Sequence, residues 1–432
     1  MKSMRNLPWS SPFLLVCVLV LASGCSSTQV EFKEPGASDD LLPGAEDIDP
    51  EPSTVGEQDE PVIPEEMPRV EEPVAQGQLW IPSQGDFALR DQQTGSLWNV
   101  RGQAFEGPLK GAVLEQRPAF TAFWFAWSVF YDGSLVWNRQ DANRSGSIEP
   151  SGNCTVPCDE IRQACSGRDC IPALDHDGRD NRPAAQMVAV DDVQAAYLKD
   201  NDQVLGVFLH GQARAYPHNL LWWHEIHNDR INDTEYSVTF CPLTGSGIVY
   251  SGFQAGRPID FGVSGNLYNS NLVMFDRDGQ TLWSQMLGQG VSGGQVGQAL
   301  TMLPVVETTW GRWRQMHPQT LVASDQTGYR RDYTSYPYGD YRTNHANTFR
   351  PTNPQHDSIY PGKALVLGLV GEEGAKAYAF DEMGTFGDRV VVNDTFGGDR
   401  VVVVYEAQFL SAVPFSARLG ETTLTFEGVQ TP

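Results

Sequence analysis

Short runs of alternating or β-branched apolar residues predict that the chain folds mainly as strands. The segment VLGVFLHGQARAYP predicts a hairpin that turns at His210 and Gly211, and YSVTF, GIVY and VVVVY predict further short strands. Two stretches with tryptophans three residues apart, WFAW and WGRW, predict short helices. The pattern favours a mainly β or α+β fold, because it lacks the regular alternation of strands and helices found in doubly wound sheets.

The same patterns recur within the chain. A glycine-punctuated segment that begins at Leu97, segment B, recurs from Leu282, and a strand-rich segment that begins at Val204, segment A, recurs from Val366. The order B, A, B, A predicts an internally duplicated β-rich domain. We expect its two units to have a pseudo-two-fold arrangement.

The N-terminal residues predict export and lipid anchoring. Lys2 and Arg5 precede the apolar run FLLVCVLVLA, which is shorter than the roughly 20 residues that a membrane-spanning helix needs. Small residues directly precede Cys25. This order is typical of a lipoprotein signal peptide, so we expect Cys25 to carry the lipid and the membrane to be a partner. Ser26 favours the outer membrane facing the periplasm, or the cell surface, in a cell with two membranes.

Composition changes sharply after the signal peptide and again near residue 79. The intervening segment is acidic and rich in proline, so it cannot bury enough apolar surface to fold and is predicted to be a disordered tether. The predicted regions are therefore the signal peptide 1–24, the tether 25–78, the first unit 79–275 with a cysteine-rich insert 141–180, and the second unit 276–432.

The net charge of the chain argues against one class of partner. The chain has 30 basic and 54 acidic residues, which gives a net charge of -24 at pH 7. Such a chain repels the phosphates of nucleic acids, so we expect no nucleic-acid partner. Hydrophobic residues make up 40% of the sequence, enough for a sizeable core.

Several motifs together resemble one bacterial family. The stretch VLGVFLHGQARAYP, then HEIHND, CPLTGSG, FGVSGNLYNSNLVMFDRD, LWSQ and HPQTLV, resembles the uncharacterised domain-of-unknown-function family 3179. The resemblance covers about residues 171–424 and implies an extracytoplasmic, often lipid-anchored protein with no established activity. Members often have a second cysteine in a CPLCG motif where this chain has Thr244, so two-cysteine redox or metal chemistry is not carried over.

The two copies of segment A differ in residues that can do chemistry. Cys241, His224 and Glu225 occur only in the first copy, whereas residues shared by both copies are expected to be architectural. A histidine can accept the proton of a thiol and a carboxylate can orient the imidazole, so the trio is a candidate catalytic set. The alternative is a buried structural cysteine beside a hydrogen-bonded histidine.

Other polar residues of the first copy are candidates for ligand binding. Arg214 could clamp a carboxylate, although Arg214 and Tyr216 have counterparts in the second copy and are expected to be structural first. The candidate binding residues are Arg214, Tyr216, Asn228, Asp229, Ser246, Ser264, Tyr268 and Asn269.

Two metal sites are also hypotheses. His224, His227 and Cys241 offer ligands that suit zinc or copper, and the two histidines would face one side if that stretch were helical. In the insert, a series of oxygen donors matches the first part of a calcium loop but lacks its final glutamate, so an ordinary turn is the alternative. The candidate calcium ligands are Asp141, Asn143, Ser145 and Glu149.

The cysteines of the insert predict two local disulfides. Cys154, Cys158, Cys165 and Cys170 lie close together in an exported chain, and their spacing does not match that of zinc ribbons. Three pairings are open, and Cys241 is left as the odd thiol.

The predicted function is therefore that of a lipid-anchored envelope protein with a small-molecule or metal site around His224 and Cys241. The first alternative is a cysteine-dependent hydrolase or transferase. The second is a structural or assembly component of the envelope, whose partner would be another envelope protein.

Overall fold

Strands formed by β-branched and aromatic runs dominate the computed structural model, which describes residues 79–140, 150–176, 184–349 and 358–432. The signal peptide, the tether and the four candidate calcium ligands lie outside the described residues. The first strands are β1 (Phe87–Asp91), β2 (Leu97–Trp98), β3 (Ala104–Glu106), β4 (Phe120–Phe123), β5 (Leu135–Val136), β6 (Arg162–Gln163), β7 (Leu174–Asp175), β8 (Met187–Ala189), β9 (Gln203–Leu209) and β10 (Gln212–Pro217).

The middle of the chain contains the longest run of consecutive strands. They are β11 (Ile226–Ile231), β12 (Thr234–Cys241), β13 (Ser246–Ser251), β14 (Phe253–Gln254), β15 (Arg257–Pro258), β16 (Phe261–Tyr268), β17 (Asn271–Asp276), β18 (Leu282–Ser284), β19 (Gln289–Ser292), β20 (Met302–Leu303), β21 (Val306–Thr309) and β22 (Leu321–Ala323). The last strands are β23 (Leu365–Gly371), β24 (Gly374–Ala379), β25 (Arg389–Phe396), β26 (Asp399–Glu406), β27 (Ser411–Ser416), β28 (Arg418–Leu419), β29 (Thr422–Thr423) and β30 (Phe426–Gln430).

The helices of the described residues are few and short. They are α1 (Trp124–Phe130), α2 (His218–His224), α3 (Trp310–Met316) and α4 (Phe380–Gly384), with 3-10 turns at Cys158–Glu160, Val193–Ala195 and Ala407–Phe409. The β-rich class predicted from the sequence is confirmed. Within the described part of the chain, no helix has the length and apolar character needed to span a membrane.

Local predictions agree with the elements. Strands β9 and β10 pair as an antiparallel hairpin, and the turn residues His210 and Gly211 have φ values of 49° and 77°. Both tryptophan pairs lie on helices, α1 and α3. Helix α2 was not predicted, because its sequence HNLLWWH is too short to show a helical period.

The sheets occur in matched pairs. The order β21-β9-β10-β22, extended by β8, has the counterpart β4-β23-β24-β5, and β13-β12-β11, flanked by β20 and β7, has the counterpart β27-β26-β25. The order β19-β18-β17-β16, with β6 at its edge, has the counterpart β3-β2-β1-β30. Strands of one predicted unit therefore complete sheets of the other.

Matched side chains also make the same hydrogen bonds. The Asn228 amide donates to the Phe261 carbonyl at 2.9 Å and its oxygen accepts from the Phe261 N–H at 3.1 Å. Asn393 does the same with Phe426, at 2.8 Å for both bonds. These matched contacts support the duplication, which we retain as a proposal.

In each half, one tryptophan packs directly against a glycine of the other half. The indole of Trp313 on α3 covers Gly206 of β9, and that of Trp127 on α1 covers Gly368 of β23. A Cβ at either glycine would overlap the ring, so only glycine allows this approach. Both indoles are fully buried, which places this packing in the core.

We expect Gly206→Ala to lower the free energy of unfolding by about 2 kcal/mol or more, because the added methyl group overlaps the ring of Trp313. The matched control is Gly294→Ala, where an added Cβ has no atom within 4 Å, and its effect should stay within about 0.5 kcal/mol. Urea unfolding of the full chain, followed by tryptophan fluorescence, measures both. Equal stability of the two variants would contradict the close packing.

Candidate functional site

The turn after helix α2 positions Glu225. The helix ends at His224, and Glu225 has a positive φ of 57°, which turns the chain directly into β11. The Glu225 carbonyl accepts a hydrogen bond from the Phe240 N–H at 2.7 Å, which fixes this turn beside the end of β12. The Glu225 side chain is 5% exposed and lies near the Cys241 thiol.

Cys241 is the last residue of β12 and is fully buried. Its thiol donates to the Ser270 carbonyl at 3.7 Å. Ser270 and Asn269 form the two-residue turn between β16 and β17, both with positive φ, as in the turns that suit two-residue hairpins. The tight turn therefore places a carbonyl directly at the thiol.

Burial sets the protonation of both groups. Desolvation raises the pKa of Cys241 to about 11, and the neighbouring Glu225 carboxylate adds to the shift. Desolvation also raises the pKa of Glu225 to about 8. At pH 7 the site therefore holds a thiol and a largely protonated carboxyl group.

Lys363 is a member of this cluster that the sequence did not single out. It lies just before β23 and is only 5% exposed, and its Nζ is 3.3 Å from the ring centre of Tyr341. Burial lowers the pKa of Lys363 to about 7, and a Cys241 thiolate would raise it, so the two side chains are close enough to interact. The sequence did not indicate Lys363, because it lies next to a strand of the second unit and the candidate residues were sought only in the first copy of segment A.

A segment without helices or strands, residues 327–349, covers the cluster, and we call it the cap segment. The Tyr341 hydroxyl donates to the Leu243 carbonyl at 2.9 Å, and the Tyr338 hydroxyl donates to the Trp222 carbonyl at 3.3 Å. The pKa of Tyr336 is raised to about 12, first by burial and then by its proximity to Cys241. The cap segment thus rests on the site through its tyrosines.

His224 is held away from a role as the base for Cys241. Its Nδ1 donates to the Pro172 carbonyl at 2.7 Å, and its Nε2 is 2.8 Å from the Tyr333 hydroxyl of the cap segment. Burial lowers the pKa of His224 to about 4, so the ring is neutral. Both nitrogens are engaged, and His224 supports the cap segment rather than the thiol.

His227 lies on a strand rather than on a helix with His224. It belongs to β11, and its ring meets Tyr216 edge-on at 5.2 Å between centres. Burial lowers its pKa to about 4. Within the described ranges, no group of three or more His, Cys, Asp or Glu residues is placed to hold a metal ion, so we do not propose the zinc or copper site.

Several candidate binding residues form a separate structural network. Arg214 pairs with Asp229 at 2.6 Å, and the Tyr216 hydroxyl donates to the same carboxylate at 2.5 Å. Although burial opposes ionisation, His227 and Arg214 lower the pKa of Asp229. The second half has the same contacts, between Lys376 and Asp394 and between Tyr378 and Asp394. A structural role for Arg214 and Tyr216 remains the prediction.

The remaining candidates stabilise turns and strands around the thiol. The Ser246 hydroxyl donates to the Gln285 side chain at 2.8 Å, and Asn271 joins the same buried network at 2.6 Å from Gln285. The Ser264 hydroxyl donates to the Val273 carbonyl at 2.5 Å, at a register shift between β16 and β17. Tyr268 packs edge-on against Phe130. Asn228 makes the bonds with Phe261 described above.

The insert confirms the prediction of two local disulfides. They join Cys154 to Cys158 and Cys165 to Cys170, and Cys241 is a free buried thiol. Surface clefts of about 450 and 720 Å³ lie elsewhere, near Trp80 and near Arg389, and neither is lined by Cys241, Glu225 or Lys363.

Comparison with known proteins finds one family. The model of a family described as a protein of unknown function, DUF3179, matches residues 54–134 and 168–430. The curated proteins and the solved structures contain no match. The family match agrees with the resemblance seen in the motifs.

We expect iodoacetamide at pH 7 to alkylate Cys241 at least about 100-fold more slowly in the native full chain than in urea, because the thiol is buried and its pKa is raised to about 11. Tyr341→Phe should speed native alkylation, since it removes the bond to Leu243. Peptide mass spectrometry measures the rates, with Tyr329→Phe, at an exposed tyrosine of the cap segment, as the control. Equal rates in native and unfolded chains would refute the buried site.

Proposed function

The chain belongs to the DUF3179 family of proteins of unknown function, and we propose that it is a lipid-anchored envelope protein that binds a small molecule at Cys241, Glu225 and Lys363. One observation carries the proposal. Three chemically different buried side chains come from distant parts of the chain, and Cys241 lies close enough to both Glu225 and Lys363 to affect ionisation. Among the described residues, neither Glu225 nor Lys363 forms an ion pair, and the Lys363 Nζ has no hydrogen-bond partner. Unpaired titratable groups with shifted pKa values are typical of functional sites.

The second half provides an internal contrast. Glu406 occupies the position that corresponds to Cys241, and it receives two hydrogen bonds from Arg312, at 2.9 and 3.1 Å. That pair satisfies its charges within the protein. The first half leaves Lys363 and Glu225 without such a pair, which supports a ligand as the missing partner.

The cap segment supplies a route to the site. It is part of the long connection between β22 and β23, and long connections without regular structure are commonly lids or binding loops. Its contacts with the body include single hydrogen bonds from tyrosine hydroxyls to Leu243 and Trp222. Each such bond contributes only about 1 kcal/mol, whereas the buried Tyr333 also anchors the segment through His224 and Asn219. Opening is therefore confined to the part of the cap segment that follows Tyr333.

A cysteine-dependent hydrolase or transferase is the second candidate. The observation that favours it is the amine of Lys363, whose pKa burial lowers to about 7, beside the Cys241 thiol. Lys363, rather than His224, would then accept the thiol proton. The Cys241 thiolate would attack the carbonyl carbon of an ester and form a thioester as the C–O bond breaks, and the departing alkoxide would take the proton from the Lys363 ammonium. A covalent acyl adduct on Cys241 after incubation with an activated ester would favour this candidate over reversible binding.

We propose Cys25 as the lipid anchor, supported by the basic, apolar and small residues that precede it. Expressed in a bacterium that processes lipoproteins, the full chain should incorporate labelled palmitate and fractionate with the outer membrane. Cys25→Ser should lose the label, because no thiol remains at the processing site. An unlabelled wild-type chain that retains residues 1–24 would refute the anchor.

Binding is tested on the full chain in detergent with a panel of small metabolites. A ligand should raise the melting temperature and slow alkylation of Cys241, because it covers the thiol. We expect Lys363→Met to lose both effects and Lys110→Met, an exposed lysine, to retain them. The proposal fails if no compound protects Cys241, or if protection is equal in both variants.

A further inference from the structure

Lys363 is a buried cation without a hydrogen-bond acceptor. Its Nζ lies over the rings of Tyr341, Phe125 and Phe123, at 3.3, 4.6 and 4.9 Å from their centres, and no acceptor reaches it in the described part of the chain. Ring contacts of this kind offset only a fraction of the desolvation of an ammonium group. When this amine is protonated, its positive charge is therefore not balanced by any acceptor among the described residues.

A second donor in the same cluster is also unused. Tyr336 of the cap segment has a buried hydroxyl with no partner among the described residues, and it lies close enough to Cys241 for the two to affect each other's ionisation. Glu225 does not supply the missing negative charge, since burial raises its pKa to about 8 and keeps it mostly protonated at pH 7. The thiol of Cys241 already donates to the Ser270 carbonyl. The cluster is thus rich in donors and poor in negative charge.

We propose that the ligand of this site is a small carboxylate with an apolar body, its carboxylate held by Lys363 and Tyr336. This inference rests on the function proposed above and specifies the ligand class. Lys363 supplies a buried positive charge, whereas Arg342, whose guanidinium lies over the Tyr336 ring, is exposed to solvent. One buried ammonium balances one negative charge, so a dianion such as sulfate would leave a buried charge uncompensated. The rings of Phe123, Phe125 and Tyr341 provide an apolar surface for the rest of the ligand.

The groups around Lys363 determine how binding depends on pH. Cys241 of β12 lies near Lys363, Glu225 of the turn after α2 lies near Cys241, and the cap segment contributes Tyr336 near Cys241 and Tyr341 directly against Lys363. From the same segment, Arg342 stacks on Tyr336, and the His345 ring accepts a hydrogen bond from the Lys363 N–H.

Affinity should fall as pH rises through the pKa of Lys363, about 7, because the carboxylate needs the ammonium form. Ionisation of Glu225 near pH 8 adds repulsion and acts in the same direction. Ionisation of Cys241 and Tyr336 lies above this range, since their pKa values are raised to about 11 and about 12.

The test uses the full chain in detergent and measures binding of benzoate, its neutral analogue benzamide, and the dianion sulfate by titration calorimetry at pH 6 and pH 8.5. We expect benzoate to bind at least about tenfold more tightly than benzamide or sulfate at pH 6, and to lose at least about tenfold in affinity at pH 8.5. Lys363→Met should abolish the preference for benzoate and Lys110→Met should keep it. Tyr336→Phe should weaken benzoate several-fold, which gives a second variant if Lys363→Met does not fold.

The outcomes separate the two proposals. Binding of benzamide equal to that of benzoate, with protection of Cys241 by both, would overturn the carboxylate inference and leave the small-molecule site standing. A preference for benzoate that persists in Lys363→Met or is independent of pH would also overturn the inference. If no compound of this set or of the wider panel binds or protects Cys241, both proposals fall.

Discussion

The junction between β4 and α1 is the constraint on which the site depends. Backbone hydrogen bonds run from it in two directions: the Phe123 N–H donates to the Thr244 carbonyl at 2.8 Å, and the Phe125 N–H donates to the Gly362 carbonyl at 2.9 Å. The first bond holds the loop that follows Cys241, and the second holds the residue before Lys363. Because these bonds are part of the core, they place thiol and amine together without any direct bond between the two.

The cluster is tolerated in the core because burial shifts each of its groups towards the neutral form. The pKa values of Cys241 and Glu225 rise and that of Lys363 falls, in each case chiefly through desolvation. Without a ligand, the three side chains therefore carry little charge near pH 7. Burying them costs less free energy than burying charged groups would. Such a site takes up a proton together with an anion, so ligand binding and the charge state of Lys363 are linked.

Local features of the fold were predictable from the sequence, and long-range pairings were not. The hairpin at His210 follows from alternation and a turn residue, and the insert disulfides follow from the close spacing of four cysteines. Cys241 and Glu225 stood out because the second copy lacks them. Lys363 and Tyr336 lie in the long connection before β23, where no periodicity marks them, and they reach the site through strand pairing that spans hundreds of residues. The sequence indicated His224 as a partner of Cys241 in a catalytic pair. In the structure, both imidazole nitrogens of His224 are instead engaged by Pro172 and Tyr333.

Under the proposed duplication, Cys241 and Glu406 occupy corresponding buried positions, and the charge at the two positions differs. At Glu406 the charge is balanced by Arg312, and removing either partner of such a pair typically destabilises a protein by about 3 to 5 kcal/mol. A ligand could compete there only by breaking that pair. At Cys241 the protein has a neutral thiol in place of the carboxylate and leaves the nearby ammonium of Lys363 without an anion. Under the proposed function, an anionic ligand at the first half would therefore gain an ionic contact without breaking one.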